Sequence, residues 1–309
     1  MIEVNELTKR YGDKTAVERL TFAVRPGQVT GFLGPNGAGK TTTLRMILGL
    51  DRPTGGSATV GKADFRSHPR GLRHVGALLD AGHVHGGRNA VAHLSALARS
   101  NGIPPRRVTE VLQEVGLAEV ARRRIGAFSL GMKQRLGIAT ALLGDPPVLM
   151  FDEPINGMDP EGVLWVRRLF RRLAAEGRTV FLSSHLMSEM ENTADQLVVI
   201  GRGRLIAAES VEDFAARSTR RSVVVAGPDA TRLAAVLTAA GASVEPQGPQ
   251  GPAGAGRLAV TGLPADRIGA LALEHRIPLN ELTTRTASLE EAFMELTADS
   301  VEYLAGRPR

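Results

Sequence analysis

Near its start this 309-residue chain reads Gly34-Pro35-Asn36-Gly37-Ala38-Gly39-Lys40-Thr41-Thr42, directly after the apolar run Val29–Leu33. The segment matches the pattern Gly-x-x-x-x-Gly-Lys-Ser/Thr at every fixed position. The glycines of such a loop let successive backbone N–H groups point at phosphate oxygens, and the helix that follows adds its positive end. Leu44 and Ile47 recur at helical spacing after the loop, as expected of an amphipathic helix. The segment therefore predicts a phosphate-binding loop between a strand and a helix.

Four side chains near this loop are suited to a nucleoside triphosphate and its metal ion. Lys40 should reach the β- and γ-phosphates, and the Thr41 hydroxyl should ligate Mg²⁺. A second apolar run, Val148–Phe151, ends at Asp152 and Glu153. Carboxylates at the carboxyl end of a parallel strand face the ligand crevice. Asp152 is therefore suited to the magnesium shell, and Glu153 to polarising the attacking water as general base.

A histidine closes a third apolar run. Thr179–Leu182 is followed by two serines and His185, which puts His185 at the carboxyl end of another predicted strand. A histidine at this place can contact the γ-phosphate. An isolated histidine would more often be structural, but here it completes a set of side chains for Mg²⁺-dependent ATP hydrolysis.

The remaining pattern predicts an α/β fold in which residues 1–218 form the nucleotide-binding domain. A mostly helical pattern at about 88–145 predicts a helical subdomain, broken once at Asn101–Pro105. Gln196–Ile200 and Arg204–Ala207 flank a glycine-containing turn and predict a hairpin at an antiparallel edge.

The composition shifts near Ser218, and strand and helix patterns continue beyond it. Residues 219–309 are predicted to form an accessory α+β domain of about 90 residues, a plausible size for a separate domain. Its last helix would carry Leu289, Phe293 and Leu296 on one face.

The composition also narrows the class of protein. The absence of cysteine excludes disulfides and thiolate zinc sites, and no apolar run approaches the ~20 residues of a membrane helix. The N-terminus lacks a basic segment followed by an apolar one, so we expect no signal peptide and a cytoplasmic protein. The net charge is +6, but aromatic residues are only 4% of the chain. Because single-stranded nucleic-acid surfaces combine basic with aromatic residues, we expect no nucleic-acid partner.

These motifs, together with Ser129-Leu130-Gly131-Met132-Lys133-Gln134, resemble the ATP-binding cassette (ABC) ATPases. Ser129–Gln134 is similar to the family signature, usually Leu-Ser-Gly-Gly-Gln. Tyr11 matches the aromatic residue that stacks on adenine, Asn156–Asp159 matches the loop after the catalytic glutamate, and His185 matches the switch histidine. The motifs follow the family's order over residues 1 to about 218, which makes the resemblance highly specific.

The closer resemblance is to the ATPase subunits of bacterial drug and antibiotic-peptide exporters, of the bacitracin- and daunorubicin-resistance type. It implies two cassettes that enclose two ATP molecules head to tail, most simply as a homodimer. Ser129 and Gly131 of one chain would complete the site of the other, and Gln134 and Asp159 are further candidate nucleotide-binding residues. It further implies a separate transmembrane permease, with this chain on the cytoplasmic face of the membrane.

One position departs from the family pattern. Where most members have a glutamine that touches Mg²⁺ and the membrane subunit, this chain has Asp80. An aspartate still supplies a hard oxygen, so Asp80 is a third candidate Mg²⁺ ligand, although it is shorter and adds negative charge near the triphosphate.

Two other functions are open on the sequence alone. The first is a soluble single-cassette ABC ATPase with a regulatory or nucleic-acid-linked role. The second is a non-enzymatic, nucleotide-dependent binding module, against which the intact Glu153 and His185 argue.

Overall fold

The computed structural model describes residues 1–217, 221–247, 256–286, 290 and 293–294. The strands among them are β1 (Ile2–Tyr11), β2 (Lys14–Val24), β3 (Val29–Leu33), β4 (Gly55–Val60), β5 (Val75–Leu78), β6 (Val148–Asp152), β7 (Thr179–Ser184), β8 (Gln196–Gly201), β9 (Arg204–Ser210), β10 (Arg221–Gly227), β11 (Ser243–Gln247), β12 (Gly256–Thr261) and β13 (Glu281–Thr286). The α-helices are α1 (Lys40–Ile47), α2 (Ala90–Ser100), α3 (Arg106–Glu114), α4 (Leu130–Leu142), α5 (Pro160–Ala175), α6 (Met187–Glu191), α7 (Val211–Arg217), α8 (Ala230–Ala239) and α9 (Ala265–Glu274).

The chain divides into two compact units, one from Met1 to Val211 and one from Glu212 to Glu295. The sequence-based division after residue 218 stays a prediction, because residues 218–220 lie outside the described part of the chain.

A six-stranded sheet in the order β5-β6-β7-β3-β8-β9 forms the centre of the first unit. Its strands from β5 to β8 pair in parallel, and β9 pairs antiparallel with β8 as the hairpin pattern predicted. Every residue of β3, β6 and β7 is buried, which explains why these strands read as continuous apolar runs. Their carboxyl ends are level, with Asp152 opposite Ser183 and Leu33 opposite Ser184.

A smaller antiparallel sheet, β2-β1-β4, packs against this centre. Phe22 of β2 contacts Phe32 and Phe181 with ring centroids 5.7 and 5.8 Å apart, and the latter two lie 5.2 Å apart. The sequence predicts a short strand at Phe22–Val24, which is the end of β2, from its apolar residues and the Pro26-Gly27 turn after it, but it predicts no strand at β1. The reason is local, since Glu6 and Arg19 have positive φ angles of 48° and 49° and the β1–β2 register shifts between Val4 and Leu7. Such irregularities break the polar–apolar alternation by which a strand is recognised.

The segment predicted to be mostly helical contains α2, α3 and α4. The break between α2 and α3 falls at the predicted position, because Asn101, Gly102 and two prolines separate the helices. Within the part of the chain that the structure describes, no helix is both long and apolar enough to cross a membrane.

The second unit has the element order β10-α8-β11-β12-α9-β13 and an antiparallel sheet in the order β11-β12-β10-β13. Its core includes Val223, Val225, Leu233 and Ile268. The sequence predicts strands at Val223–Val225 and Leu258–Val260, a helix around Leu233 and Leu237 and a second helix ending near His275, and these correspond to β10, β12, α8 and α9. It names no segment for β11 or β13. Of the three apolar residues predicted for the last helix, Phe293 is helical and buried, whereas Leu289 and Leu296 lie outside the described residues.

Replacing Phe181 by Ala should lower the free energy of unfolding by about 3–5 kcal/mol, because it leaves a cavity between the two sheets of the first unit. Phe181 is 0% exposed. Urea unfolding followed by the fluorescence of Trp165, the single tryptophan, measures the loss. Leu164→Ala is the control, since Leu164 is 51% exposed on α5 and should change stability by less than about 0.5 kcal/mol. Equal unfolding midpoints for the two variants would contradict this packing.

Candidate active site

The phosphate loop connects β3 to α1, and two glycines set its path. Gly37 and Gly39 have φ angles of 82° and 102°, a region that side chains other than glycine rarely adopt. A Cβ atom on Gly39 would also lie 2.6 Å from the Ala16 carbonyl oxygen. In the described chain no side chain caps the N-terminus of α1. The first N–H groups of α1 are therefore available to an anion.

Lys40 crosses beneath this loop and is only 6% exposed. Its Nζ donates to the carbonyl oxygens of Gly34 at 2.6 Å and Pro35 at 3.3 Å, and it lies 3.6 Å from Glu153 Oε1. Burial lowers the pKa of Lys40, and the nearby carboxylates of Glu153 and Asp152 oppose that change. The ammonium group is thus held in the loop by two carbonyl oxygens and one carboxylate. Its positive charge can also attract a bound anion.

Thr41 and Asp152 meet at the edge of the same site. Thr41 Oγ1 donates to Asp152 Oδ2 at 2.6 Å, and Ser183 Oγ donates to Asp152 Oδ1. Asp152 is 8% exposed. A carboxylate and a hydroxyl oxygen side by side are the kind of donors that Mg²⁺ prefers, so these two residues fit the predicted ion.

Glu153 lies next along the chain and has a positive φ angle of 48°. Its backbone N–H donates to Ser183 Oγ at 3.0 Å. His185 Nδ1 lies 3.0 and 3.1 Å from the two carboxylate oxygens, and Asn156 Nδ2 donates to Oε2 at 3.4 Å. The carboxylate is 21% exposed in its side chain, so it faces both its partners and solvent. This arrangement can orient a water molecule and take a proton from it.

A cavity of about 580 Å³ opens in front of these groups. Its described lining comprises Lys14, Thr15, Ala16, Asn36, Gly37, Ala38, Gly39, Lys40, Thr41, Thr42, Asp152, Glu153 and Arg202. Four of these residues, Lys14, Thr15, Ala16 and Arg202, were missed by the sequence reasoning. They come from the start of β2 and the turn between β8 and β9, and only the topology brings them to the phosphate loop. Two of them add positive charge to a site for a polyanion.

The turn between β8 and β9 is held close to the loop by tight backbone packing. Gly203 N donates to the Ala38 carbonyl at 3.0 Å, and the Gly203 carbonyl accepts from Glu18 N at 2.8 Å. A Cβ atom on Gly203 would lie 2.7 Å from the Ala16 carbonyl oxygen. Ala16 is thereby enclosed between Gly39 and Gly203.

Tyr11, the predicted adenine-stacking residue, lies at the end of β1 and is 50% exposed. Its hydroxyl donates to Asp51 Oδ2 at 3.3 Å, and Lys9 Nζ lies 4.9 Å from its ring centroid. The described residues that line the cavity do not include Tyr11.

The signature residues lie at the start of α4, and the described lining of the cavity does not include them. Ser129 Oγ accepts from Met132 N at 3.2 Å and caps the helix. Gly131 is part of the first turn. Gln134 is 6% exposed, and its Nε2 donates to the carbonyl oxygens of Asn156 at 3.3 Å and Glu153 at 3.5 Å. The helix is thus tied through its buried face to the loop after Glu153.

Two further predicted residues lie outside the described lining of the cavity. Asp159 caps α5, with Oδ1 accepting from Gly162 N at 3.0 Å. Asp80 Oδ1 accepts from Gly82 N at 2.6 Å, and its Oδ2 lies 3.4 Å from His83 Nε2. Thr41 and Asp152 are thus joined by a hydrogen bond, whereas the contacts described for Asp80 are with Gly82 and His83, and its role as an Mg²⁺ ligand stays a prediction.

Two more polar residues support the site. Asn156, at the start of the loop matched after the catalytic glutamate, bonds the Glu153 side chain. Ser183, to which the sequence assigns no role, bonds both Asp152 and the backbone of Glu153. Only the position of Ser183 in the sequence indicates such a role, because it is a polar residue at the end of an apolar strand and lies close to a candidate histidine.

Comparisons with known proteins agree with this geometry. The family model described as ABC transporter matches residues 17–156, and a domain family of unknown function matches residues 221–290. The bacitracin transport ATP-binding protein BcrA of Bacillus licheniformis is 43% identical over 209 residues, covering 67% of this chain and 68% of BcrA. The ABC transporter ATP-binding protein YhcH of Bacillus subtilis is 38% identical over 216 residues, covering 69% and 71%. The Nod factor export ATP-binding protein I of Ralstonia nicotianae is 34% identical over 308 residues, covering 96% and 94%.

A solved structure described as the ATP-binding subunit of an ABC transporter superposes with a TM-score of 0.65 at 28% identity, covering 70% of this chain and 92% of that one. The predicted α/β cassette fold is thereby confirmed. BcrA and YhcH are each matched over more than two thirds of their length. The phosphate loop lies beside the carboxylates of Asp152 and Glu153, as an ATP-hydrolysing site requires. This chain therefore belongs to the ATP-binding proteins of ABC transporters and is an ATPase.

Proposed function

We propose that this chain powers the export of a drug, antibiotic or lipid-like substrate through a separate membrane permease. The observation that carries the hydrolytic part is the Glu153 carboxylate, which lies beside His185 Nδ1 and the buried Lys40 ammonium. The transport part is supported by relatives named for bacitracin transport, lantibiotic transport and Nod factor export. These names favour transport over a soluble regulatory or nucleic-acid-linked role.

In this proposal the phosphate-loop N–H groups and Lys40 bind the triphosphate of ATP, and Glu153 takes a proton from the attacking water. His185 orients the Glu153 carboxylate and the γ-phosphate. Mg²⁺, held by Thr41 and Asp152, would neutralise charge on the phosphate oxygens. Asp80 is a further candidate ligand whose role Asp80→Asn would test. Phosphoryl transfer is accelerated mainly by positioning and electrostatic stabilisation, and Lys40 would offset part of the negative charge of the triphosphate.

The site of one chain is completed by a second chain. Ser129 and Gly131 lie at the start of α4 and are not among the described residues that line the cavity of their own chain, and Leu130 between them is 52% exposed. The positive end of a helix is suited to the phosphate of a nucleotide bound elsewhere. We infer that Ser129 and Gly131 of one chain serve the ATP held by its partner in a homodimer, while Tyr11 stacks on adenine.

The proposed permease partner spans the membrane, so this chain would act on the cytoplasmic face of that membrane. ATP would favour a closed pair of cassettes, and hydrolysis would reopen it, which drives the permease between two arrangements.

Glu153→Gln should lower the ATPase kcat by at least about 100-fold, because an amide cannot act as general base. ATP binding should persist, and the variant should accumulate as an ATP-bound dimer on size-exclusion chromatography. Glu119→Gln, at an exposed position in the helical segment, is the matched control and should keep wild-type activity. Wild-type turnover by Glu153→Gln would refute the assigned base.

Ser129→Arg should abolish hydrolysis while ATP binding to the monomer stays nearly unchanged, because the arginine would block the partner's site. Ser100→Arg is the control, since Ser100 is an exposed serine at the end of α2. A Ser129→Arg protein that hydrolyses ATP at the wild-type rate would exclude a shared site.

Mixing the two inactive variants tests the shared site more sharply. In a mixed dimer, the chain with Ser129→Arg still has Glu153, and the chain with Glu153→Gln still has Ser129, so one complete site forms. Random pairing should restore about a quarter of the sites, measured as ATPase activity of an equimolar mixture. A mixture as inactive as its components would mean that each chain builds its site alone.

Transport is tested by co-purification of the tagged chain from membranes of its native host. A co-purifying protein with several apolar spans, and ATPase stimulation by a candidate antibiotic or lipid, are expected. Recovery of the chain with ribosomes or nucleic acid instead would support the regulatory alternative.

A further inference from the structure

Two consecutive serines end β7, and they face different carboxyl groups. Ser183 and Ser184 are both fully buried, and successive strand residues point to opposite faces. Ser183 Oγ donates to Asp152 inside the site described above. Ser184 Oγ donates to Glu189 Oε2 at 2.5 Å, on a side chain that the proposed mechanism does not use.

Ser184 also holds the turn that presents His185. Its Oγ accepts from the Leu186 N–H at 2.9 Å, so the residues on both sides of His185 are linked through one hydroxyl. Across the described residues no side chain caps the N-terminus of α6, whose N-cap position is Leu186. The Ser184 hydroxyl is therefore the side-chain group that fixes this turn, and Glu189 fixes the rotamer of Ser184 by accepting a hydrogen bond from that hydroxyl.

Glu189 occupies a place where a carboxylate is costly. Burial raises its pKa, the hydrogen bond from Ser184 opposes that rise, and the nearby Glu153 carboxylate adds to it, while His185 and Arg167 lower the pKa. Glu189 is therefore close enough to interact electrostatically with both Glu153 and His185, and the hydrogen bond that it accepts from Ser184 links it to the turn before His185.

We propose that Glu189 is a positioning residue for His185, acting through Ser184. Without the Glu189 acceptor, Ser184 is free to rotate and to release Leu186 N, and His185 loses its fixed distance of 3.0 Å from Glu153 Oε2. The inference rests on the proposed role of His185 in hydrolysis.

Glu189→Ala should lower kcat about tenfold or more, since a displacement of about 1 Å in a catalytic group can cost up to 100-fold. The dissociation constant for ATP should change less than about twofold, because Glu189 does not line the described part of the phosphate cavity. Glu189→Gln should retain most of the wild-type kcat, because the amide oxygen of glutamine can still accept the hydrogen bond from Ser184. Glu191→Ala is the control on the same helix, at an exposed position.

Ser184→Ala removes the same hydrogen bond from the other side. Its loss of kcat should match that of Glu189→Ala, and the double variant should lose no more than either single variant. Melting followed by Trp165 fluorescence accompanies each assay. If Glu189→Ala does not fold, Ser184→Ala alone still tests the proposal.

The inference is overturned if Glu189→Ala keeps the wild-type kcat, if the Gln variant is as impaired as the Ala variant, or if losses in the double variant add. It is also overturned if kcat falls only together with ATP affinity and melting temperature. His185→Ala separates this result from the proposed function. A low kcat for His185→Ala with a normal kcat for Glu189→Ala rejects only the inference, whereas a normal kcat for His185→Ala rejects the proposed role of the histidine.

Discussion

The parallel pairing of β3, β6 and β7 is the constraint on which the rest of the site depends. Because these neighbouring strands end level, the phosphate loop, the Asp152–Glu153 pair and His185 emerge at one edge of the sheet. Complete burial of the three strands leaves little freedom to shift their register. The distances among Lys40, Glu153 and His185 are thus set by backbone pairing before any side chain makes its own contact.

The charged groups at this edge are stabilised in two ways. The Lys40 ammonium lies beside the Glu153 carboxylate, whereas the Asp152 carboxylate accepts hydrogen bonds from the hydroxyl groups of Thr41 and Ser183. A buried ammonium with carbonyl acceptors is stable without a ligand, and it can exchange those acceptors for phosphate oxygens at little cost in reorganisation. Burial of Lys40 also lowers the dielectric constant around its ammonium group, which strengthens the interaction with Glu153.

The sequence was informative where local pattern and structure coincide. β3, β6 and β7 are continuous apolar runs, and the phosphate loop has a fixed spacing, so the central sheet and Lys40, Thr41, Asp152 and Glu153 could be predicted from it. β1 was missed because positive φ at Glu6 interrupts its alternation. Arg202 and Lys14 could not be predicted for a different reason. Only the fold brings them to the phosphate loop, and no local sequence pattern indicates which segments will meet there. Tyr11 and Asp80 are not among the described residues that line the cavity, so their assignment to adenine and Mg²⁺ stays a prediction.

The enclosure of the Ala16 carbonyl by Gly39 and Gly203 has an evolutionary consequence. Three segments that are remote in the chain, the start of β2, the phosphate loop and the turn after β8, meet at one oxygen atom with no room for a methyl group. A mutation in one segment that moves this oxygen atom would therefore also displace the backbone of the other two. A side chain at Gly39 or Gly203 would therefore require compensating changes in the other two segments, so the three segments respond to mutation as one unit.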